Sequence, residues 1–146
     1  MRIVFDTSSL ITALRSSKGA AAEVLRLVLM ERVVILMDYK IACEYRDVAL
    51  RKEHLTAARR SEESVLSLIG SLEGLAEPIQ VVSKPRPLSS DPNDDMILDV
   101  AINGQADSIV TQNPKHFTAA ARRYGIKVLS PAELLEALRD EEQNGE

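Results

Sequence analysis

The sequence predicts a single three-layer α/β/α domain with a central parallel sheet of about five strands. Short runs of apolar residues alternate along the chain with stretches that carry apolar residues at helical spacing. The chain has 146 residues, 45% of them hydrophobic, which is enough for one packed core. No internal repeat, low-complexity segment or linker interrupts this alternation. Helices on both faces of a buried parallel sheet satisfy such a pattern.

The first half of the chain opens on the apolar run Ile3-Val4-Phe5, which predicts a short buried strand. Val24, Leu25, Leu27 and Val28 then form the apolar side of a helix. The expected elements are a strand at 2–5, a helix broken near 16–19, a helix at 20–30, a strand at 33–37, and helices at 40–52 and 57–75.

The second half contains a proline-rich loop at 83–92, because proline removes the backbone donor that a strand or helix needs. Around it we expect strands at 79–82, 108–111 and 126–129. We also expect a helix at 92–103, a helix that follows the strand at 108–111 and ends at 124, and a helix at 131–139. The domain is expected to span 1–139, and 140–146 to form an acidic flexible tail.

The charge of the chain does not by itself predict nucleic-acid binding. The net charge is −4, and outside the tail 18 acidic side chains face 18 basic ones. Any binding to RNA must therefore come from a local basic patch or from bound metal ions. Cys43 is the one cysteine, so no internal disulfide is possible. Together with the absence of a signal peptide or long apolar run, this predicts a cytoplasmic protein, with Cys43 expected to be buried in a helix.

Polar side chains are expected at the carboxyl ends of the parallel strands, where α/β proteins bind their ligands. Asp6 directly follows the first strand, although it is also placed to cap the next helix. Glu44 interrupts the apolar face formed by Ile41 and Val48, so it needs a cation or a metal as partner. A salt bridge to a nearby Arg or Lys is the alternative for Glu44.

Further acids and an amide lie in the second half. Asp94 heads the stripe that continues at Leu98 and Ala101, although it is also placed to cap the helix together with Asp91. Asp95 and Asp99 form an i, i+4 acidic pair that is either solvated or an additional pair of ligands. Asn113 follows the strand at 108–111 and is either a turn residue or part of the same edge.

Asp6, Glu44, Asp94 and Asn113 are all predicted to project from one edge of the sheet, without a matching set of cations. Hard divalent ions such as Mg²⁺ select oxygen ligands of this kind. Sites with two such ions promote in-line attack on phosphodiesters, and bound metal reverses the repulsion between carboxylates and phosphates.

In these segments the chain resembles PIN-domain proteins, in particular the VapC-like toxin components of bacterial and archaeal toxin–antitoxin systems. The matching segments, in order, are Ile-Val-Phe-Asp6-Thr-Ser, Glu44-Tyr-Arg-Asp-Val, Asp91-Pro-Asn-Asp94-Asp95 and Ile-Val-Thr111-Gln-Asn113-Pro-Lys-His116-Phe117. They cover roughly residues 1–130, and it is their combined order that is specific.

The resemblance implies a Mg²⁺- or Mn²⁺-dependent ribonuclease with metal ligands at Asp6, Glu44 and Asp94. Asp95 is an alternative for the third position, and Asp99 matches an acidic position of the subfamily. Asn113 stands where the family has its fourth acid, and a neutral ligand there weakens a second metal site. The resemblance also implies a homodimer and an inhibitory antitoxin. The apolar surface of the helix at 57–75 adds to the dimer expectation.

Four basic residues near the acids are candidates for steering the RNA backbone, with solvated helix charge as the alternative: Arg46, Arg51, Lys52 and Lys115. His116 has two interpretations, a phosphate contact and a packing role at the entry to a helix, of which packing is favoured.

Three other functions are consistent with parts of the sequence. A haloacid-dehalogenase-like phosphatase is the first, but it needs a second Asp at the position of Ser8. A phospho-receiver is the second, but it needs an Asp after the third strand, at the position of Ser83. A PIN-fold RNA-binding or regulatory module with weakened catalysis is the third, and Asn113 favours it.

Overall fold

The computed structural model describes residues 1–86 and 91–145, which form a five-stranded sheet and eight α-helices. The strands are β1 (Arg2–Phe5), β2 (Val34–Met37), β3 (Glu77–Pro78), β4 (Ser108–Val110) and β5 (Lys127–Leu129). The helices are α1 (Thr7–Arg15), α2 (Ala20–Leu29), α3 (Tyr39–Ala49), α4 (Lys52–Ala58), α5 (Glu62–Leu75), α6 (Pro92–Asn103), α7 (Thr118–Arg122) and α8 (Pro131–Asn144). A 3-10 turn at Pro114–His116 precedes α7.

The sheet has the strand order β3-β2-β1-β4-β5, and every pairing is parallel. β1 is central, and its residues Ile3, Val4 and Phe5 are fully buried. The chain extends the sheet from β1 through β2 to β3 on one side, then crosses to β4 and β5 on the other. Because the direction of winding reverses between β1 and β4, a crevice forms at the carboxyl ends of these two strands. The predicted three-layer α/β/α fold with five parallel strands is confirmed.

The helix starts follow from local chemistry. Asp91 caps α6 by accepting a hydrogen bond from the backbone N–H of Asn93, and Pro92 occupies the first helical position. Ser130 and Glu133 form a reciprocal capping box at the start of α8. This helix continues to Asn144 instead of ending at residue 139, because the acidic segment consists largely of good helix formers. The flexibility of 140–146 stays a prediction.

The third strand lies at Glu77–Pro78, not at the predicted 79–82. The side chain of Asn103 explains this difference, because its oxygen accepts hydrogen bonds from the backbone N–H groups of Val82 and Ser83. Its amide nitrogen also donates to the carbonyl of Ser83. β2 ends at Met37, which pairs with Pro78, so the segment that bonds to Asn103 lies beyond the end of β2. Pro78 is tolerated because β3 is an edge strand.

The predicted helix at 57–75 is divided into two. α4 ends with Arg59 as its capping residue, which has a left-handed backbone conformation (φ 55°). α5 begins after Ser61, whose hydroxyl accepts a hydrogen bond from the backbone N–H of Ser64. Val65, Ile69 and Leu72 of α5 are fully buried against the domain itself. Most of the apolar residues of the predicted dimer surface are therefore buried within the domain and are not available to a second copy of the chain.

Cys43 is exposed on α3, so the prediction of a buried cysteine was wrong. Its neighbours Ala42 and Tyr45 take the buried positions of that helix instead. Across the described residues, none of the helices combines the length and apolar character needed to cross a membrane.

Candidate metal site

Asp6 lies in the crevice between β1 and β4. Its backbone N–H donates to the carbonyl of Val110, which continues the pairing of these two strands. Its side chain does not cap α1. One carboxylate oxygen instead accepts hydrogen bonds from the hydroxyls of Ser8 and Thr111, each at 2.8 Å. The capping alternative is therefore excluded for the side chain, and the carboxylate is held in the crevice by two donors.

Ser8 and Thr111 are site residues that the sequence analysis missed. Thr111 is fully buried at the end of β4, and its hydroxyl also accepts from the backbone N–H of Asn113. Ser8 accepts from the backbone N–H of Gln112. The two hydroxyls thus connect the chain after β1 to the chain after β4. A hydroxyl residue two positions after an acid at a strand end was the signal available for Ser8.

Glu44 lies on α3, which its neighbour Tyr45 connects to the end of β1. The fully buried hydroxyl of Tyr45 donates to the carbonyl of Phe5, the last residue of β1, and so fixes α3 beside Asp6. Burial is the main cause that raises the pKa of Glu44, and the charges of Asp47 and Asp6 add to it. Arg51 lowers that pKa without forming an ion pair with Glu44. The salt-bridge alternative is not found among the described residues.

Asp94 lies on the first turn of α6, with its side chain 16% exposed. One oxygen is 3.4 Å from Nδ1 of His116. Burial is the largest cause that raises the pKa of Asp94, followed by the charge of Asp91, while His116 lowers it. The charge of Asp6 raises it further. The side chain of His116 is 55% exposed, and its ring centroid lies 6.4 Å from that of Phe117, so both interpretations of this residue stay predictions.

Asp95 and Asp99 contact Arg86, a residue of the proline loop that the sequence analysis did not single out. The guanidinium group of Arg86 donates to both oxygens of Asp99, each at 2.9 Å, and lies 3.6 Å from an oxygen of Asp95. Asp99 is buried, with 6% of its side chain exposed. These contacts favour a structural role, and metal ligation by either acid stays a prediction.

The four candidate steering residues differ in their surroundings. Arg46 forms an ion pair with Glu73, and Arg51 forms one with Asp47 at 3.2 Å. Lys52 and Lys115 are exposed. Asn113 is exposed beside Thr111, at the position where the sequence placed it. Of these four, Lys52 and Lys115 are the ones for which no ion pair is described.

Asp6, Glu44 and Asp94 are donors of the type that Mg²⁺ prefers, and the charge of Asp6 raises the pKa of both other acids. Within residues 1–86 and 91–145, no three His, Cys, Asp or Glu side chains are close enough to enclose a metal ion. Mg²⁺ keeps several waters and takes only one or two carboxylates directly, so widely spaced acids remain compatible with it. The donor set therefore fits a hydrated divalent cation.

Comparison with known proteins gives a family and a fold. A family model described as PIN domain matches residues 2–115. The chain is similar in structure to a chain from the crystal structure of VapBC2 from Rickettsia felis bound to a DNA fragment from their promoter. The two share 19% sequence identity with a TM-score of 0.56, over 89% of this chain and 98% of the other. No curated protein matches the sequence.

Proposed function

The chain belongs to the PIN domain family, and from this premise we propose that it is a metal-dependent endoribonuclease, the toxin of a toxin–antitoxin pair. The proposal is supported by the carboxylate of Asp6, which two hydroxyls hold at the crevice between β1 and β4, together with the acids Glu44 on α3 and Asp94 on α6. The charge of Asp6 raises the pKa of the other two acids, and no ion pair to Arg or Lys is described for any of the three. Such a site attracts a divalent cation.

Asp6, Glu44 and Asp94 would hold Mg²⁺ or Mn²⁺, with Asn113 as a neutral ligand and with Asp95 and Asp99 as further candidates. When bound, the ion lowers the pKa of a coordinated water and neutralises the charge that builds on the phosphate. Ser8 and Thr111 hold one oxygen of Asp6, which would leave its second oxygen available to a cation. Hydrolysis of this kind leaves a 5′-phosphate and a 3′-hydroxyl.

The side chains around the crevice would position the RNA. Arg51 and Lys52 lie at the start of α4, and Lys115 lies in the 3-10 turn beside His116. Arg46 and Arg51 are weaker candidates, because they already form ion pairs with Glu73 and Asp47. Contacts of this type fix the phosphate backbone and carry no sequence information.

Cleavage of mixed single-stranded RNA tests the proposal. We expect cleavage in Mn²⁺ that EDTA abolishes, and a loss of more than about 100-fold in kcat/KM for Asp6→Asn. Asp140→Asn makes the same change on the exposed end of α8 and should cleave as wild type does. Full activity in EDTA, or 2′,3′-cyclic phosphate ends, would show that metal-activated water is the wrong mechanism.

A small antitoxin encoded beside the gene, a homodimeric assembly and a cytoplasmic location complete the proposal. They are supported by the family and by the likeness in fold to a chain of VapBC2, whose structure contains its promoter DNA. The neighbouring gene is the most informative observation for the antitoxin, because a toxin of this class is expected beside its inhibitor.

A PIN-fold RNA-binding or regulatory module with weakened catalysis is the second candidate. Asn113 favours it, because a neutral amide binds a cation less strongly than a carboxylate. The same assay separates the two functions. RNA binding without cleavage in Mg²⁺ or Mn²⁺ would establish the module and exclude the enzyme.

A further inference from the structure

A polar cleft lies where the end of α1 meets the junction of α4 and α5. We call it the arginine cleft, because Arg15, Arg59 and Arg60 are among the residues that line it. It has a volume of about 510 Å³ and is open to solvent. Its remaining polar lining comes from three serines, Ser17, Ser61 and Ser64.

The positive charge of the arginine cleft is not neutralised locally. No acidic side chain lines it in the part of the chain that the structure describes. None of its three arginines forms an ion pair there, in contrast to Arg46 and Arg51. Glu62 and Glu63 follow in the first turn of α5 but do not line the cleft. A multiply charged anion therefore has a favourable site.

The backbone at Arg59 has a conformation that Glu31 and Gln105 share. Its φ of 55° lies in the left-handed region, where glycine is normally found at the end of a helix. Gly125 occupies the same region elsewhere in this chain. Arginine at such a position makes the folded state less stable than glycine would. Replacement of Arg59 by glycine therefore removes its charge without adding strain to the backbone.

Two helices connect the arginine cleft to the acidic crevice. α1 begins directly after Asp6 and ends at Arg15, a distance of roughly 13 Å at 1.5 Å per residue. α4 begins after Arg51, whose charge acts on Glu44, and ends at Arg59. A guanidinium nitrogen of Arg15 lies 3.0 Å from Nδ1 of His54 on α4, so the two helices are joined at the cleft.

We propose that the arginine cleft binds phosphate groups of single-stranded RNA that flank the bond cleaved at the acidic crevice. The proposal rests on the proposed function, because it assigns a substrate contact to the same enzyme. Guanidinium groups match phosphate oxygens in pairs of parallel hydrogen bonds. Only Leu14 and Ala58 supply apolar lining, which leaves little surface for the apolar side chains of a peptide.

Binding of a labelled single-stranded RNA of about 12 nucleotides, measured by fluorescence anisotropy in EDTA, tests the arginine cleft without cleavage. We expect Arg59→Gly to weaken binding by about three- to fivefold at low salt. The slope of log affinity against log salt should become smaller by about 0.7, as for one lost phosphate contact on a single strand. The fold should be retained or stabilised, because glycine relieves the strain at this φ.

Two control variants isolate the effect. Gln105→Gly relieves the same left-handed conformation (φ 50°) without a change in charge, and Arg123→Ala removes an exposed cation outside the cleft. Both should bind RNA as wild type does. Unchanged affinity and salt slope in Arg59→Gly, or no RNA binding by the wild type, would overturn the proposal. Binding of polyglutamate is measured in the same way. If Arg59→Gly loses binding to polyglutamate but keeps binding to RNA, the cleft is assigned to an acidic polypeptide. RNA binding without cleavage would refute the proposed function alone.

Discussion

At the scale of single residues, the three acids assigned to the crevice differ in their partners: Asp6 accepts from two hydroxyls and Asp94 lies beside His116. Glu44 has no described ion pair, and burial and two neighbouring carboxylates raise its pKa. A carboxyl group with a raised pKa disfavours the folded state above that pKa. Its effect on stability disappears as the pH falls through the raised value to the ordinary value of about 4.3.

Glu44→Gln is therefore expected to stabilise the metal-free protein at neutral pH, by about 0.5 kcal/mol after allowing for solvent screening. The gain over wild type should disappear toward about pH 4, where the wild-type Glu44 carboxyl becomes protonated in both the folded and the unfolded protein. Urea unfolding in EDTA at the two pH values measures this difference.

Glu136→Gln on the exposed face of α8 is the matched control and should show no gain at either pH. If Glu44→Gln destabilises the protein at neutral pH, then Glu44 makes a favourable contact in the metal-free state. The crevice would then not be an uncompensated acidic site.

At the scale of secondary structure elements, the position of α3 relative to β1 decides where Glu44 lies. The hydrogen bond from Tyr45 to the carbonyl of Phe5 connects the helix to the last residue of the central strand. Burial and the charge of Asp6 raise the pKa of Tyr45, so its hydroxyl stays protonated and remains a donor. This contact places α3 more firmly than apolar packing alone.

Tyr45→Phe should therefore destabilise the fold by about 1–2 kcal/mol, because a buried carbonyl loses its partner while the ring is kept. Tyr39→Phe on the same helix is the control, since Tyr39 is 82% exposed and should change stability by less than about 0.5 kcal/mol. Denaturant unfolding at neutral pH compares the two. Equal stability of both variants would show that the Tyr45 hydroxyl does not hold α3 in place.

At the scale of the whole molecule, the open question is how copies of the chain assemble. The inner face of α5 is buried in the domain, which leaves Leu66 as its exposed large apolar side chain, 42% exposed. A stable interface buries at least about 1,000 Å² in total, more than one such side chain supplies. The homodimer expectation therefore rests on the family and not on this helix.

Sedimentation velocity should detect a species of twice the 16.1 kDa chain mass, and the proportion of this species should rise with protein concentration. Leu66→Glu is expected to leave the fold intact because the side chain is exposed. Its effect on the dimer measures what α5 contributes to the interface. A monomer at the highest soluble concentration would contradict the dimer.

The sequence by itself determined the fold class and the positions of the main acids. Apolar runs such as Ile3-Val4-Phe5 are local signals of buried strands, and parallel pairing then follows because helices separate them. Asp6 could be placed at the carboxyl edge of the sheet because it directly follows a buried strand. The metal-ligand roles of Asp6, Glu44 and Asp94 stay predictions.

Only the tertiary structure decided what each polar group contacts. Asp6 accepts from Thr111, which is far from it in sequence. Asp99 on α6 accepts from Arg86, which precedes that helix. The short β3 and the exposed Cys43 also depended on long-range contacts, with Asn103 for the former and the packing of α3 for the latter. Local periodicity reports which side of an element is buried, but hydrogen-bond partners and charge environments depend on how the elements pack.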